Sequence, residues 1–468
     1  MNIQIKLDRF SFRHASRKKP ALNQLSLSIK AGEKILLLGA SGSGKSTLLA
    51  ALAGVLGADE GDTSGHLEVS GIVGMVLQDP DSQVIASKVG DDIAFGCENL
   101  QVPAEEIWPR VRQSLDMVGL DLPLDHPTAE LSGGQKQRLA LAAVLAMGAD
   151  IILLDEPTAN LDPEGVEEVV RAVDQVIAET GATLIIVEHR VHTWARTVDR
   201  ALVLVDGILQ ADAPLHEIST SHGRMLAEQG VWMPGHDPQL PPAQSPCTFD
   251  KQEWAIKTSG LVTGWDRPLS QRDVRIRLGS STVITGPNGA GKSTLMLTLA
   301  GLLKPLGGTI SFHEQIARGL KKQPIQWSSE QLSQRIGCVF QDPEHQFVAR
   351  SVREELLVGA GNGKGKDISQ AEYDRADEIL QRLRLDHLAQ ANPFTLSGGQ
   401  KRRLSVATTL VKSPQLIFLD EPTFGQDRNT FIELVTLLRE LTDHGVTVVS
   451  ISHDRLFVEA MADEEVKL

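Results

Sequence analysis

Short apolar runs recur along the chain, and the clearest of them is followed by a glycine-rich turn. Residues 34–38 read Lys-Ile-Leu-Leu-Leu, which predicts a buried strand, and the apolar segment 46–53 predicts a packed helix. Gly39, Gly42 and Gly44 lie between them, and glycine lets the backbone curl tightly enough to aim successive N–H groups at an anion. The pattern therefore predicts a strand, an anion-binding turn and a helix in succession.

The turn has the residues of a phosphate-binding loop. Residues 39–47 fit the pattern G-x-x-x-x-G-K-[ST], in which phosphates lie at the positive end of the following helix. The lysine supplies a point charge to the β- and γ-phosphates of ATP, and the next hydroxyl can bind Mg²⁺. The alternative is a glycine turn that binds no ligand. Such a turn would not require the full pattern, so the pattern favours a phosphate-binding loop. The candidate ATP-binding residues are Gly39, Ser41, Gly42, Ser43, Gly44, Lys45, Ser46 and Thr47.

The chain then repeats this loop and four further landmarks in the same order. The second loop follows an apolar run at residues 282–285, and its candidate ATP-binding residues are Gly286, Asn288, Gly289, Ala290, Gly291, Lys292, Ser293 and Thr294. Four other landmarks occur once in each half. Segment 76–83 corresponds to 339–346, Leu-Ser-Gly-Gly-Gln at 131–135 to the same residues at 396–400, and Asp-Glu-Pro-Thr at 155–158 to the same residues at 420–423. The apolar run that ends in His189 corresponds to the one that ends in His453. Five ordered matches indicate an internal duplication.

The length and the repeat predict two domains. A chain of 468 residues exceeds a single hydrophobic core, and the proline-rich segment between the repeats is typical of an extended linker. We expect a first nucleotide-binding domain at residues 1–230, a linker at 231–252 and a second nucleotide-binding domain at 253–468. The second half also has an insertion at residues 313–333, whose lysines and polar residues predict a surface elaboration.

Composition excludes several classes of protein. No apolar run approaches the roughly eighteen residues that cross a bilayer, and residues 1–6 do not resemble a signal peptide, so we expect folding in the cytosol. The formal net charge of −14 disfavours nucleic acid as a partner. The three cysteines, Cys97, Cys247 and Cys338, lack metal-ligand spacing and indicate neither a disulfide framework nor a zinc site.

The ordered landmarks resemble the ATP-binding-cassette superfamily, with two cassettes fused in one chain. The resemblance covers both halves, and the signature, as we call residues 131–135 and 396–400, is specific to this superfamily. It implies an α/β fold with two RecA-like P-loop nucleotide-binding domains in tandem. Each domain is expected to have a small antiparallel β subdomain near its start and a helical subdomain before its signature.

Paired acids follow the apolar run in each half. Asp155 and Asp420 can hold Mg²⁺ or its waters, and the next residues, Glu156 and Glu421, can polarise the attacking water as general bases. A solvated turn is the alternative for such a pair. The resemblance adds Gln78, Gln341, His189 and His453 to the catalytic set, with the histidines near the γ-phosphate. The expected Mg²⁺ ligands are Ser46, Gln78 and Asp155 in one half, and Ser293, Gln341 and Asp420 in the other.

Each signature opens a helix-like run and offers a second anion site. A serine hydroxyl and open N–H groups at a helix start bind anions, although a serine N-cap with packing glycines is the simpler alternative. The resemblance implies an intramolecular pseudo-dimer in which each signature closes over the γ-phosphate of the opposite loop. The signature residues expected to bind ATP are Ser132, Gly133, Gly134, Gln135, Ser397, Gly398, Gly399 and Gln400.

Two weaker expectations also come from the resemblance. The family stacks adenine on an early aromatic ring, and alignment of the halves places His14 and Trp265 there, where stacking contributes on the order of 1–3 kcal/mol. Surface packing is an alternative for His14. Asp162 and Asp427 resemble the acidic turn that communicates between opposed sites, although Asp427 lacks the usual preceding leucine.

The segments after Gln78 and Gln341 resemble those of energy-coupling-factor importer ATPases. This implies an ATPase at the cytoplasmic face of the membrane, docked on an integral scaffold subunit, while a separate membrane subunit captures a vitamin, a vitamin precursor, or nickel or cobalt ions. Two alternatives stay open. A tandem sugar-importer ATPase commonly lacks catalytic residues in one half, and a soluble translation factor of the superfamily has a long charged linker that this chain lacks. Zinc cysteines or long coiled coils, as in DNA-repair cassettes, are not found.

Overall fold

The computed structural model consists of two compact units. The first comprises Met1–Asp237 with Asp427–Asn429, and the second comprises Pro238–Gln426 with Thr430–Leu468. The structure describes residues 2–15, 19–40, 42–57, 60–159, 161, 163–241, 253–287, 289–320, 323–358, 368–396, 398–412, 414–423 and 426–468.

The first unit contains two sheets. Three antiparallel strands in the order β2-β1-β4 form the small sheet. The large sheet has the order β5-β6-β7-β3-β8-β9, in which only β9 runs antiparallel to its neighbour. The strands are β1 Ile3–His14, β2 Leu22–Lys30, β3 Lys34–Leu38, β4 Gly61–Val69, β5 Val73–Val76, β6 Ile151–Asp155, β7 Thr183–Val187, β8 Arg200–Val205 and β9 Ile208–Pro214.

The small sheet and the helix that follows β3 pack on one face of the large sheet, and the other helices pack on the opposite face. In β3, Ile35 and Leu37 point to the side of the small sheet, and Leu36 and Leu38 point to the other side. Burial on both faces explains why these strands are uninterrupted apolar runs. The helices are α1 Lys45–Leu52, α2 Val89–Asn99, α3 Ala104–Met117, α4 Gly133–Ala146, α5 Pro163–Thr180, α6 Val191–Trp194, α7 Leu215–Ser221 and α8 Gly223–Glu228.

The second unit has the same plan, with four strands in its antiparallel sheet and five in its parallel sheet. Its antiparallel sheet is ordered β11-β10-β12, with β14 also paired to β10, and its parallel sheet is ordered β15-β16-β17-β13-β18. The strands are β10 Trp254–Gly264, β11 Pro268–Gln271, β12 Arg275–Arg277, β13 Ser281–Thr285, β14 Gly307–Phe312, β15 Ile336–Val339, β16 Leu416–Asp420, β17 Thr447–Ile451 and β18 Glu464–Lys467. The helices are α9 Lys292–Leu299, α10 Glu314–Ala317, α11 Ser329–Ser333, α12 Val352–Leu357, α13 Gln370–Arg382, α14 Gly398–Leu410, α15 Arg428–Asp443 and α16 Arg455–Met461.

The fold class predicted from the sequence is confirmed. The run at residues 34–38 is strand β3, and the helix predicted at 46–53 is α1. Each unit has a small antiparallel sheet, and helices α2 and α3, or α12 and α13, precede the signature helices α4 and α14. Among the described residues, none of the helices has the length and apolar character needed to span a bilayer.

Most of the described residues of the insertion at 313–333 are exposed or half-buried, and a few apolar side chains fix it to the core. Ile316 is fully buried and Trp327 is only 6% exposed, and both belong to the core that includes the antiparallel sheet and α9. The Trp327 ring packs against Phe312 of β14 at a centroid distance of 5.4 Å, and Cζ of Arg335 lies over the Trp327 ring, 5.9 Å from its centroid. The composition predicted the surface position but not this anchor, because polar residues flank the few apolar side chains.

The first compact unit continues past residue 230. Val231 and Met233 are buried in its core, and Trp232 forms a bridge with Arg190. The segment therefore stays attached to the first unit at least to Asp237, where the unit ends.

A glycine in the same place in each unit lets a strand approach a signature helix. A Cβ atom on Gly74 of β5 would lie 2.1 Å from Cγ1 of Val144 in α4, and one on Gly337 of β15 would lie 2.2 Å from Cγ2 of Thr409 in α14.

Gly74→Ala should therefore destabilise the first unit by about 1–3 kcal/mol through overpacking. Chemical denaturation measures the loss. Gly57→Ala, whose Cβ would meet only Glu60 at 3.6 Å, is the matched control, and equal stabilities would contradict the close packing.

Candidate nucleotide-binding sites

The first phosphate loop turns at three glycines with positive φ angles. Between β3 and α1, φ is 154° at Gly39, 80° at Gly42 and 103° at Gly44. A Cβ atom on Gly39 would lie 2.3 Å from the carbonyl oxygen of Leu204, and one on Gly44 would lie 2.4 Å from that of Ala21. Because both neighbours are backbone atoms, larger residues are excluded at these two positions.

Lys45 folds back over this loop. Its Nζ donates hydrogen bonds to the carbonyl oxygens of Gly39 at 2.8 Å and Ala40 at 3.0 Å, and the residue is 6% exposed. Burial lowers the pKa of Lys45, although the charges of Glu156 and Asp155 oppose the shift. The loop backbone therefore holds the ammonium group where the β- and γ-phosphates of a nucleotide would accept the same hydrogens.

Asp155 is the last residue of β6 and lies beside the start of α1. Burial, helped by the charge of Glu156, raises the pKa of Asp155 to about 6, although a hydrogen bond from the Ser46 hydroxyl opposes the shift. Its Oδ1 is buried without a hydrogen-bond partner in the described part of the chain. Since a buried acceptor without a donor is costly, the Asp155 oxygen and the Ser46 hydroxyl fit a hard cation such as Mg²⁺.

Glu156 is held between two polar side chains. Its backbone has a φ of 48°, in the left-handed region that residues other than glycine rarely adopt. Its Oε2 accepts a hydrogen bond from Nε2 of Gln78 at 2.8 Å, and its Oε1 lies 2.9 Å from Nε2 of His189. Burial acts to raise the pKa of Glu156, but the charge and hydrogen bond of His189 outweigh it, and the net shift is downward. The structure thus brings together three residues that the sequence assigned to one site.

Glu188 is a buried carboxylate at the same edge of the sheet that the sequence did not identify. It accepts hydrogen bonds from the hydroxyl of Thr158, from the backbone N–H of His189 at 2.8 Å and from Nε1 of Trp194 at 3.5 Å. Burial raises the pKa of Glu188. These contacts join the segment after β6 to the backbone of the histidine. The sequence could have drawn attention to Glu188 because the two repeats differ here: the second half has Ser452 at the corresponding position.

The second phosphate loop, between β13 and α9, has the same geometry. The φ angles are 146° at Gly286, 76° at Gly289 and 89° at Gly291. Nζ of Lys292 donates to the carbonyl oxygens of Gly286 and Pro287, both at 2.9 Å. The lysines of both units are therefore held by their own loops.

Asp420 in the second unit corresponds to Asp155 in the first. It ends β16 and is 4% exposed. Burial raises the pKa of Asp420, while a hydrogen bond from Ser293 opposes the shift. The pairing of Asp420 with the loop hydroxyl repeats the arrangement of Asp155 with Ser46.

Glu421 differs from Glu156, although both have a φ of 48°. Nε2 of His453 lies 3.6 Å from Oε1 of Glu421, and this oxygen is buried without a hydrogen-bond partner within the described residues. Burial and the adjacent charge of Asp420 raise the pKa of Glu421 to about 8. The side chain of Gln341 is exposed. At neutral pH, the two glutamates therefore differ in protonation.

The first signature begins helix α4 with a capping box. Oγ of Ser132 accepts from the backbone N–H of Gln135 at 3.3 Å, and Oε1 of Gln135 accepts from the backbone N–H of Ser132 at 2.9 Å. Ser132 is therefore an N-cap, and Gly133 and Gly134 lie at the same helix end. In the second unit, α14 begins at Gly398. Five residues named from the sequence lie outside the described residues: Ser41, Asp162, Cys247, Asn288 and Ser397.

The two candidate adenine-stacking residues have different surroundings. The ring of His14 packs edge-on against Phe12 at 4.8 Å, and its Nε2 lies 3.5 Å from Oγ1 of Thr47 at the phosphate loop. Trp265 follows β10 and is 66% exposed. Both rings therefore lie near the start of their unit, and His14 also contacts Thr47 at the start of α1.

The donor sets fit a magnesium nucleotide in each unit. In the first unit, Oγ of Ser43 and Oδ1 of Asp155 are both buried without a hydrogen-bond partner among the described residues, which leaves a donor and an acceptor for a ligand. A loop of backbone N–H groups, a buried lysine and a carboxylate beside a hydroxyl match the recurring parts of ATP-hydrolysing sites.

Comparison with known proteins agrees with this geometry. The model of the ABC transporter family matches residues 22–159 and 269–424. "Putative HMP/thiamine import ATP-binding protein YkoD" of Bacillus subtilis (strain 168) is 35% identical over 98% of this chain and 88% of its own length. "Putative ABC transporter ATP-binding protein" of Enterococcus faecalis (strain ATCC 700802 / V583) is 34% identical over 96% of this chain and 86% of its own length.

Solved structures show the same fold. The archaeal ribosome recycling factor aABCE1, determined in complex with the ribosomal stalk protein aP1, aligns with a TM-score of 0.64 over 98% of this chain and 87% of its own, at 21% identity. Since the family model matches both halves and the relatives align along nearly the whole chain, this protein belongs to the ABC transporter family, as an ATPase with two ATP-binding cassettes.

Proposed function

We propose that this chain is the ATP-hydrolysing subunit of an importer of the energy-coupling-factor type, and that the imported solute is HMP or thiamine. The observation that carries the proposal is the full-length similarity to the protein named for HMP/thiamine import. A second support is that both units keep a glutamate, a glutamine and a histidine in the catalytic places, as a protein needs if both cassettes are to hydrolyse ATP.

In the proposed mechanism of the first unit, Glu156 is the general base for the attacking water. Gln78 and His189 bond its two oxygens at 2.8 Å and 2.9 Å, and these contacts fix the direction of the carboxylate. Asp155 and Ser46 would hold Mg²⁺, which would supply positive charge beside the phosphates. Lys45 would contact the β- and γ-phosphates. In the second unit, Glu421 would be the general base, Asp420 and Ser293 would hold Mg²⁺, and Lys292 would contact the phosphates. Gln341 and His453 are the residues that correspond to Gln78 and His189, although Gln341 is exposed and Nε2 of His453 lies 3.6 Å from Oε1 of Glu421.

We further propose that each signature completes the site begun by the opposite phosphate loop. Ser397, Gly398 and Gly399 would then contact the nucleotide on Lys45, and Ser132, Gly133 and Gly134 the nucleotide on Lys292. ATP binding would draw the cassettes together, and hydrolysis would release them, which is a switch able to do work on a partner. The segment 231–252 is the proposed linker, with its first residues packed on the first unit.

The proposed docking surfaces follow the glutamine loops, as we call residues 77–83 and 340–346. Ile85 is 64% exposed and Val348 is 74% exposed, directly beyond these loops. A large exposed apolar side chain at the same position of both units favours contact with a partner. The proposed partners are an integral scaffold subunit, with which the ATPase sits at the cytoplasmic face of the membrane, and a membrane subunit that captures the solute.

The alternatives have less support. The similarity to the ribosome recycling factor is 21% in identity and concerns the fold, so it does not favour a role on ribosomes. A tandem sugar-importer ATPase with one degenerate cassette is disfavoured because Glu156 and Glu421 both lie at strand ends beside a glutamine loop and a histidine.

Replacing the proposed bases should slow hydrolysis without preventing nucleotide binding. Glu156→Gln and Glu421→Gln each keep the side-chain volume but remove the proton acceptor, so turnover at the affected site should fall about 10²–10⁴-fold. Steady-state ATPase assays and equilibrium ATP binding measure the two effects. Glu68→Gln and Glu330→Gln, at exposed sites, are the controls. Undiminished turnover in the double variant would remove both glutamates from the mechanism.

The two sites should respond differently to pH. In Glu156→Gln the remaining base is Glu421, whose pKa is raised to about 8, so kcat/KM should rise with pH until that region, because only the deprotonated carboxylate accepts a proton. In Glu421→Gln the remaining base is Glu156, whose pKa is lowered, so kcat/KM should be level from about pH 6 upward. Identical pH profiles for the two variants would contradict the difference between the sites.

Docking is tested with the exposed apolar residues. Ile85→Asp and Val348→Asp should abolish recovery of the chain with integral membrane proteins and uptake of labelled HMP or thiamine, while basal ATPase activity stays unchanged. Charge reversal at Lys88 tests the same surface. Ile208→Asp, at a site 50% exposed on the edge strand β9, is the matched control. Recovery on ribosomes, or uptake unaffected by both aspartates, would contradict the proposal.

A further inference from the structure

Signature helices α4 and α14 differ in charge at one buried position. The fifth residue of α4 is Gln137 and the fifth residue of α14 is Arg402. Gln137 is 2% exposed and Arg402 is 5% exposed. A neutral amide in one unit is thus replaced by a buried cation in the other, at the place where the helix passes beneath the glutamine loop.

Arg402 joins two elements of the second catalytic site. Its guanidinium donates through NH1 to the carbonyl oxygen of Phe340 at 2.8 Å and through NH2 to that of Gln341. NH1 also reaches the carbonyl oxygen of Asp420 at 3.4 Å, at the end of β16. A planar fork that serves two successive carbonyls restricts a loop in both position and direction.

Gln137 makes a weaker version of this contact. Its Nε2 donates to the carbonyl oxygens of Leu77 at 3.2 Å and Gln78 at 3.4 Å, so one NH₂ group is shared between two long bonds. Neutral hydrogen bonds are roughly half as strong as those from an ionised donor. The contact of α4 with the first glutamine loop is therefore weaker than the contact of α14 with the second, and the first loop is also held by Gln83, which bonds the backbone of Leu77 and Asp79.

The charge of Arg402 is retained despite its burial. Burial lowers the pKa of Arg402 to about 10, while the charges of Asp420, Glu421 and Asp342 oppose the shift. The guanidinium is therefore protonated at neutral pH. Its hydrogen bonds go to the three carbonyl oxygens named above, and the nearby acids act on it through their charge. A buried cation that lost these bonds would be strongly destabilising.

We propose that Arg402 is a positioning residue that fixes the second glutamine loop to the end of β16, and that this anchor makes the two nucleotide sites unequal. The inference rests on the proposed ATP hydrolysis in both cassettes. In the second site the loop backbone is fixed and the Gln341 side chain is exposed. In the first site the contact from the signature helix is a neutral one, and the Gln78 side chain itself bonds the glutamate.

The test uses the full chain with Glu156→Gln, so that only the second site turns over. Arg402→Gln, which copies the first unit, should lower kcat about tenfold while the KM for ATP stays within a factor of about two, because a displaced glutamine affects reaction geometry more than phosphate binding. Arg402→Lys keeps the charge but not the fork, and should recover part of the loss. Arg403→Gln, one residue along the same helix, should leave kcat unchanged; Arg403 contacts Leu383 instead.

Hydrogen–deuterium exchange gives a readout that does not need turnover. Arg402→Gln should speed amide exchange in residues 341–347 and leave residues 78–84 unchanged. Unchanged exchange, or an equal loss of kcat in Arg403→Gln, would overturn the role of Arg402. If the Glu156→Gln chain with Arg402 intact has no ATPase activity, independent turnover of the second site fails, while the exchange measurement still decides the role of Arg402.

Discussion

Two adjacent carboxylates buried at the end of a parallel strand dominate the chemistry of each unit. Like charges in a weakly polarisable environment cannot both be ionised without compensation. In the first unit, Asp155 takes the upward shift in pKa and the histidine at 2.9 Å keeps Glu156 ionised. In the second, the histidine lies at 3.6 Å and Glu421 takes the larger upward shift. The same pair of residues therefore reaches two different charge states.

The duplication preserved the framework and let the supporting residues diverge. Both phosphate loops have positive φ angles at three matching glycines and the same lysine contacts. A Cβ atom on Gly39, Gly44 or Gly286 would lie within 2.8 Å of a backbone carbonyl oxygen, so these positions cannot change freely. The residues one step further from the nucleotide are freer to change. Glu188 is replaced by Ser452, and Gln137 by Arg402, and each change alters how a catalytic side chain is held.

Much of the fold and the site could be predicted from the sequence. Strand β3, helix α1 and both phosphate loops follow from an apolar run, a glycine pattern and an apolar helix, which are local signals. The meeting of Gln78, Glu156 and His189 was expected only through the family resemblance, since they lie far apart in the chain. The burial of Ile316 and Trp327 and the contacts of Glu188 could not be predicted, because they depend on long-range packing rather than on local periodicity.

The left-handed backbone at Glu156 and Glu421 has a consequence for engineering. At a φ of 48°, glycine would have less backbone strain than any residue with a side chain. The strain persists because the carboxylate is needed at this position. Selection for thermostability alone would therefore favour glycine at both positions and would yield more stable proteins that have lost the proposed base for ATP hydrolysis. A screen for robust variants of this chain has to reward activity in the same round.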